Sequence, residues 1–338
     1  MELAGKTILV TGGTGSFGTA FISRIVRDYP ETTVRLFSRD ELKQSESRER
    51  FGERRVRYLV GDVRDRARLT RAAQGANYVV HAAAMKQVPA CEYNPFEAVS
   101  TNVLGTQNVV DAAIDAHVER VVALSTDKAV HPLNLYGATK LCAEKIVVQG
   151  NAYGSYSTRL ACVRYGNVVG SRGSVVPIFR RQAADGVLTV TDDRMTRFWI
   201  TLDQAVDLVL FALDNLDGGE IFVPRIPSMR VVELAEAIAP GVERRVVGIR
   251  PGEKLHELLL TGDEARQTLD IGEAFVVLPT HQTWPTDGRW QQRGTPVPEG
   301  FVYASDTNPE WVTKDDIAAL LREMPMPARR VTDTIPAE

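Results

Sequence analysis

Short apolar runs recur along the first half of the chain. Thr7–Thr11, Val34–Phe37, Val56–Val60, Tyr78–Val80, Val121–Leu124 and Arg159–Arg164 are each too short for a helix and carry apolar residues on both faces. That is the pattern of strands buried on two sides. Helix-like stretches at 17–28, 66–74, 99–116 and 136–150 separate them. Strand and helix in alternation predict right-handed βαβ crossovers feeding one parallel sheet. The alternation holds to about residue 165.

Beyond that point the pattern loosens. Gly166–Gly173 is glycine-rich, and 175–185, 203–216, 231–239 and 253–261 read as helices. Segments 188–191 and 220–223 read as strands, and 276–300, rich in Pro, Gly, Thr and Trp, as extended loop. A helix near 314–323 precedes a polar tail for which disorder is expected. The expected fold is α/β: a Rossmann-like doubly wound parallel sheet with a smaller, irregular α/β C-terminal substrate domain. Residues 1–167, with a returning segment at about 198–224, are assigned to the first domain. About 168–197 and 225–330 are assigned to the second.

Composition excludes more than it selects. The 338 residues are 44% hydrophobic and 25% charged, enough apolar content for one or two cores. A net charge of −3 gives no attraction to nucleic acid or an anionic membrane. No apolar run approaches the roughly 18–20 residues that span a bilayer. The N-terminal residues enter a strand at once, so no signal peptide is expected. Cys91, Cys142 and Cys162 lack metal-like spacing and read as thiols of a reducing compartment, so a cytoplasmic location is expected. His81, His117, His131 and His281 also lack ligand spacing, and no metal is expected.

The first strand runs into Thr11-Gly12-Gly13-Thr14-Gly15-Ser16-Phe17-Gly18, which opens the first helix. Gly12 suits the tight turn, Gly15 a close backbone approach to a pyrophosphate, and Gly18 close helix–strand packing. Free N–H groups and the positive dipole end of the helix then face the phosphates. In this strand–turn–helix context the glycines predict a dinucleotide site. The second strand ends in Ser38-Arg39-Asp40-Glu41-Leu42-Lys43. Two cations and a hydroxyl suit a ribose 2′-phosphate, so NADP is expected ahead of NAD; a solvated charged helix start is the alternative. Asp40 is expected to cap the next helix. Asp62, with Val63 after the third strand, either meets the adenine or caps the helix at 66–74. Ala82, Ala83 and Ala84 end the fourth strand, where small residues admit a cofactor or simply pack tightly.

After the fifth strand comes Ser125-Thr126-Asp127-Lys128, then Tyr136-Gly137-Ala138-Thr139-Lys140. Tyr136 and Lys140 share a helix face. A nearby ammonium, with the positive nicotinamide, would lower the Tyr136 pKa, and its phenolate could take a proton from a sugar hydroxyl as hydride leaves. Ser125 or Thr126 could hydrogen-bond the same substrate oxygen. Asp127 and Lys128 are an acid and a base that hydride chemistry alone does not require. Their alternative is a loop ion pair or cap.

These pieces resemble the extended short-chain dehydrogenase/reductase superfamily over nearly the whole chain. More closely they resemble the inverting UDP-N-acetylglucosamine 4,6-dehydratases. Further matches are Ala83–Pro89, Arg164-Tyr165-Gly166-Asn167-Val168, Met195-Thr196-Arg197-Phe198, Arg250-Pro251-Gly252-Glu253-Lys254 with His256 and Glu257, and Tyr303–Trp311. Oxidation of a hexose at carbon 4 acidifies the carbon-5 proton. A base removes it, an acid assists the carbon-6 hydroxyl, and hydride returns to carbon 6. The resemblance implies Asp127 as acid to the leaving hydroxyl and Lys128 in carbon-5 proton transfer. For Lys128 to be a base its pKa must fall, and burial with the neighbouring Lys140 could lower it; otherwise it stays protonated and stabilises the enolate. Relatives that retain configuration carry an Asp-Glu pair here, so Asp-Lys implies inversion.

For the substrate the resemblance implies UDP-N-acetylglucosamine or a related UDP-sugar. Lys86 could reach sugar or phosphate, and Asn167 a phosphate or sugar hydroxyl. Arg197 and Arg250 suit the diphosphate, with Arg172 a weaker candidate, and Glu253 suits the uridine ribose. Val175, Val176 and Pro177 could line a uracil slot or pack in a core. A homo-oligomer, dimer or hexamer, is implied, with helices 99–116 and 136–150 as a dimer face. The product implied is UDP-2-acetamido-2,6-dideoxy-β-L-arabino-hex-4-ulose. A UDP-sugar 4-epimerase or 5,6-dehydratase would share the cofactor cycle. A non-catalytic NADP-sensing protein is the alternative of another class; retention of Tyr136 and Lys140 speaks against it.

Overall fold

Six strands, with helices in the five connections between them, build one flank of a ten-stranded sheet. In the computed structural model, which describes residues 3–154, 157–170 and 175–323, they run β1 (Thr7–Thr11), α1 (Ser16–Asp28), β2 (Thr33–Ser38), α2 (Glu41–Phe51), β3 (Val56–Val60), α3 (Arg66–Ala73) and β4 (Tyr78–His81). Then follow α4 (Val88–Tyr93) and α5 (Pro95–Val99). A π-helical turn at Ser100–Leu104 joins α5 to α6 (Gly105–Asp115). The set closes with β5 (Arg120–Thr126), α7 (Leu135–Gly150) and β6 (Arg159–Tyr165). The strands match the apolar runs within two residues at each end. The helix expected at 99–116 begins earlier, because Pro95 sits at a helix start, where its missing N–H costs nothing.

The second half alternates between the large sheet and a separate layer. It contains β7 (Asn167–Val168), α8 (Val175–Ala184), β8 (Val187–Val190), β9 (Thr196–Ile200), α9 (Leu202–Asn215), β10 (Ile221–Pro224), β11 (Ser228–Arg230), α10 (Val231–Ile238) and β12 (Glu243–Val246). The chain ends, as described, with β13 (Leu258–Leu260), β14 (Thr268–Asp270), β15 (Ala274–Val277), α11 (Arg289–Arg293), β16 (Thr295–Pro296), β17 (Tyr303–Ala304) and α12 (Lys314–Glu323).

Strand order in the large sheet is β3-β2-β1-β4-β5-β6-β10-β15-β14-β16. The strands β1–β6 and β10 are parallel; β15, β14 and β16 add antiparallel pairs. The chain reverses its direction of travel across the sheet between β1 and β4, which are neighbours. Their C-terminal ends therefore flank the crevice where doubly wound sheets bind ligands. Ile8, Val10, Val34, Leu36, Val80, Val121, Val122, Leu160 and Val163 are fully buried, as a sheet covered on both faces demands.

A second, smaller apolar core joins α8, β8, β9, α10 and α12 through Phe179, Leu188, Trp199, Leu234 and Ile317. The three segments meeting there are far apart in sequence.

Two expectations fail. Residues 253–261 form no helix: Gly252 turns the chain at φ +80°, and Leu258–Leu260 pairs with β17 instead. Strand pairing in tertiary context outweighs the local apolar period. Nor is 276–300 purely loop. Val276 and Val277 complete buried β15, and α11 seats Trp290, whose Nε1 donates to buried Glu220. Asp62 does not cap α3; Asp65 does, accepting from the Arg68 N–H. Asp40 caps α2 as expected. Arg172 and the tail beyond residue 323 lie outside the described residues.

Candidate active site

A cavity of about 590 Å³ runs from the glycine loop, past the end of β5, to the second core. Gly12, Gly15, Ser16, Phe17, Gly18, Ala82 and Ala84 line one end. Gly12 is at φ +68°, and a Cβ on it would stand 2.8 Å from the Ala83 nitrogen. Only glycine lets β1 turn this close beneath the end of β4. The cradle of bare backbone opening on the start of α1 fits a dinucleotide pyrophosphate.

Thr14, Ala83, Val63, Ser38, Arg39, Lys43 and Asp62 are not on the cavity wall. Val63 is buried, and a Cβ on Gly105 would collide with it. The Ser38 hydroxyl is buried and accepts from Gln44 Nε2 at 3.0 Å. Arg39 stays more than half exposed, with Asp62 at 3.6 Å, while Lys43 pairs with Asp40 at 2.7 Å. Arg64 covers Asp62 with three N–H groups.

Tyr136 and Lys140 project from α7 into the cavity. The helix starts where it does because Asn134 caps it, accepting from the Gly137 N–H at 2.8 Å. Any Cβ at Gly137 would run into the Lys128 carbonyl, so glycine lets α7 lie against the Asp127–Ala129 turn. Burial pushes the Tyr136 phenol up to about 12, against the pull of the Lys128 ammonium and a hydrogen bond with Thr126. The expectation of a Lys140-lowered tyrosine is therefore not met in the protein alone: Lys128 is the ammonium that acts on it. Lys140 is itself lowered by burial, partly countered by Cys162 and Glu144.

Ser125 and Thr126 divide their duties. Ser125, on the cavity wall, donates to Glu144 Oε1 at 2.5 Å. Thr126 donates to Asp127 Oδ1 at 2.8 Å and meets Tyr136. Asp127 is wholly buried, and its Oδ2 has no hydrogen-bond partner among the described residues. Lys128 Nζ lies 3.0 Å from Asp127 Oδ1, 3.5 Å from Glu257 Oε1 and 3.4 Å from Asn167 Oδ1. Burial pulls the Lys128 ammonium down, but Asp127 and Glu257 more than offset it, and its pKa ends above that of an ordinary lysine. The lowered Lys128 required of a resting base does not occur, because two carboxylates flank it.

Lys86, Asn167, Val175, Arg197, Arg250 and Glu253 all line the cavity. Burial lowers Lys86. Arg197 is held by the carbonyls of Thr196, Leu255 and Lys254. Arg250 is mostly exposed, 3.9 Å from Glu253. Val176 belongs to the second core as well as to the wall.

Three residues have duties here that the sequence reading does not assign: Asn102 is outside every motif, and Lys254 and Glu257 stand in the matched Arg250–Glu257 motif without a role. Asn102, in the π turn, exchanges hydrogen bonds with both backbone groups of Met85 and donates to Thr139 Oγ1, tying the Ala82–Lys86 segment to α7. Lys254 reaches the carbonyls of Asp127 and Val130. Glu257 stands among Lys128, Arg197 and Lys254. A π turn and a long-range ion cluster leave no local periodicity to read.

The family model for polysaccharide biosynthesis proteins matches residues 8–279. An inverting UDP-N-acetylglucosamine 4,6-dehydratase of Campylobacter jejuni is 45% identical over 94% of this chain and 97% of its own. A UDP-glucose 4-epimerase of Rickettsia rickettsii is 43% identical over 84% of each chain. The X-ray structure of Pen from Bacillus thuringiensis superposes with a TM-score of 0.86 at 38% identity, covering 95% of this chain and 98% of that one.

Proposed function

This chain belongs to the polysaccharide biosynthesis protein family, and on that premise we propose that it is an inverting UDP-N-acetylglucosamine 4,6-dehydratase. The observation that carries the reading is the Asp127–Lys128 pair: Lys128 lines the cavity beside Tyr136, and Asp127, wholly buried behind it, accepts from its ammonium at 3.0 Å. A 4-epimerase has no task for that pair; removal of water needs both an acid and a base.

The large sheet holds a nicotinamide dinucleotide along Gly12–Gly18, Ala82 and Ala84. NADP is favoured by residue type: the exposed Arg39 and the Lys43 one helical turn beyond it are cations that suit a 2′-phosphate. Held there, the dinucleotide would supply the hydride chemistry, accepting hydride from carbon 4 and giving it to carbon 6, and its oxidised ring would add positive charge to the site of Tyr136. Tyr136 takes the carbon-4 hydroxyl proton as hydride leaves, with Thr126 holding the same oxygen; because the product keeps the carbon-4 ketone, that proton is passed on to carbon 5, on the face opposite to the one it lost, as hydride reaches carbon 6.

The dehydration is the work of the pair. At rest Lys128 carries the proton, so its ammonium stands ready where enolate charge develops. The carbon-5 proton enters the pair and another leaves on the carbon-6 hydroxyl, with no net change. The 3.0 Å hydrogen bond between the partners resets it.

The second core holds the UDP end. Arg250, exposed and loosely paired, is the diphosphate's flexible donor, and Glu253 suits the ribose. Arg197 contributes charge from a position fixed by three carbonyls. Val175 and Lys86 complete the walls.

Incubation with UDP-N-acetylglucosamine should give a product lighter by one water, with no net NADPH. Proton NMR of that product in D₂O should show the L-arabino configuration. An unchanged substrate mass would remove the reading.

A further inference from the structure

Glu257 is nearly inaccessible, with only 3% of its side chain exposed. Its Oε1 is 3.5 Å from Lys128 Nζ and 3.7 Å from Arg197 Nε; its Oε2 is 3.9 Å from Lys254 Nζ. That second oxygen has no hydrogen-bond partner among the described residues. A carboxylate desolvated this far and not hydrogen-bonded costs stability unless it serves the charges around it.

Its place is built, not incidental. Ser305 Oγ accepts from the Glu257 N–H at 2.9 Å, and the Ser305 N–H donates to the Glu257 carbonyl at 2.9 Å. The same hydroxyl meets Thr196 Oγ1 at 2.7 Å, which in turn meets His256 Nδ1 at 2.8 Å. The backbone that presents Glu257 is thus clamped to β9 and to the end of β17. Supporting contacts of this kind hold a functional group to within fractions of an ångström.

Three cations, Lys128, Arg197 and Lys254, share two carboxylates, Asp127 and Glu257. Lys254 is occupied with the Asp127 and Val130 carbonyls, and Arg197 with backbone carbonyls. Lys128 alone of the three faces the reacting end of the cavity beside Thr126 and Tyr136. Glu257 is absent from the cavity wall.

We propose that Glu257 is a positioning residue of the dehydration site, whose carboxylate keeps the Lys128 ammonium charged and fixed between Asp127 and Asn167. This rests on the dehydratase reading, but it can fail separately. The groups facing Lys128 are Asp127 and Tyr136 from its own side, Asn167 after β6, Arg197 from β9, and Glu257 and Lys254 from the segment before β13. Of the two carboxylates among these, Glu257 is the one whose charge can be removed without touching the acid–base pair or the cavity wall. With that carboxylate neutralised, burial and Arg197 act on Lys128 against Asp127 alone.

The test is Glu257→Gln in the full chain with lysine ¹³C-labelled at the ε position. The Lys128 resonance, assigned by its loss in Lys128→Met, should titrate at least about one pH unit lower than in wild type. Turnover of UDP-N-acetylglucosamine should fall about tenfold or more, with KM nearly unchanged, and an alkaline limb should enter the pH–rate profile. Glu257→Asp, which keeps the charge one methylene back, should restore part of the titration shift and of the rate. An unmoved Lys128 titration in both variants overturns the proposal. If wild type leaves UDP-N-acetylglucosamine intact, the dehydratase reading falls, while the Lys128 titration still decides the role of Glu257 on the resting protein.

Discussion

Glu144→Ala should be among the most damaging single changes outside the cavity. Arg164, on β6, is 1% exposed and donates to both oxygens of Glu144, at 2.9 and 2.8 Å. It also donates to Glu264 and to the Leu259 carbonyl. Glu144 takes the Ser125 hydroxyl as well. Its loss leaves a buried guanidinium with one carboxylate and a buried hydroxyl with none. Removing one partner of a buried ion pair costs about 3–5 kcal/mol. With an unfolding entropy of about 2.1 cal/mol/K per residue, that becomes a fall in Tm of roughly 4–7 °C for a chain of this length. Differential scanning calorimetry reads it directly. Glu144→Leu combined with Arg164→Met should recover most of the loss, since apolar replacement of a buried pair is often neutral or better. The Glu264 left behind can hydrate, being a quarter exposed. A single variant melting within about 1 °C of wild type, or a double variant no better than the single, would refute the reasoning.

Four further outcomes are expected. Tyr136→Phe should lower turnover by about 10²–10⁴-fold while dinucleotide binding, followed by fluorescence quenching, stays within a factor of a few. Gly12→Ala should abolish dinucleotide binding in the same titration, since its Cβ meets the Ala82–Ala83 backbone at φ +68°. Arg39→Ala should raise the Kd for NADP about tenfold or more, the worth of one charge-assisted hydrogen bond, and leave that for NAD unchanged. His81, buried between Thr11 and Thr106, is held neutral by burial with its pKa lowered to about 3. The folded state thus binds fewer protons than the unfolded state between about pH 3 and 6.5, so this contribution is full above 6.5 and lost as pH falls toward 3. Urea midpoints should fall across that window in wild type, and the slope should flatten in His81→Gln.

The alternation of buried runs and helical stretches was legible because a parallel sheet covered on both faces imposes it locally. Residue types at fixed spacings likewise exposed the glycine loop, Tyr136 with Lys140, and Asp127 with Lys128. The second half was harder. Residues 253–261 carry a helix-like apolar period, yet Leu258 pairs with Ala304 and Leu260 with Tyr303 across more than forty residues. Nothing local announces such a pairing. No helix among the described residues is long and apolar enough to cross a membrane, in keeping with the absence of any long apolar run.

By itself the sequence determined which chemical groups are present and which of them share a turn or a helix face, because those relations depend on spacing along one chain. Only the tertiary structure decided their state. Ser125 and Thr126 are adjacent and alike, yet one bonds Glu144 and the other meets Tyr136. Lys128 and Lys140 are both buried lysines near Tyr136, yet one is raised and the other lowered. The difference is the pair of carboxylates beside Lys128: Asp127 next to it in sequence and Glu257, brought there from 129 positions away. Burial and charge are summed over neighbours in space, and those neighbours are chosen by the fold.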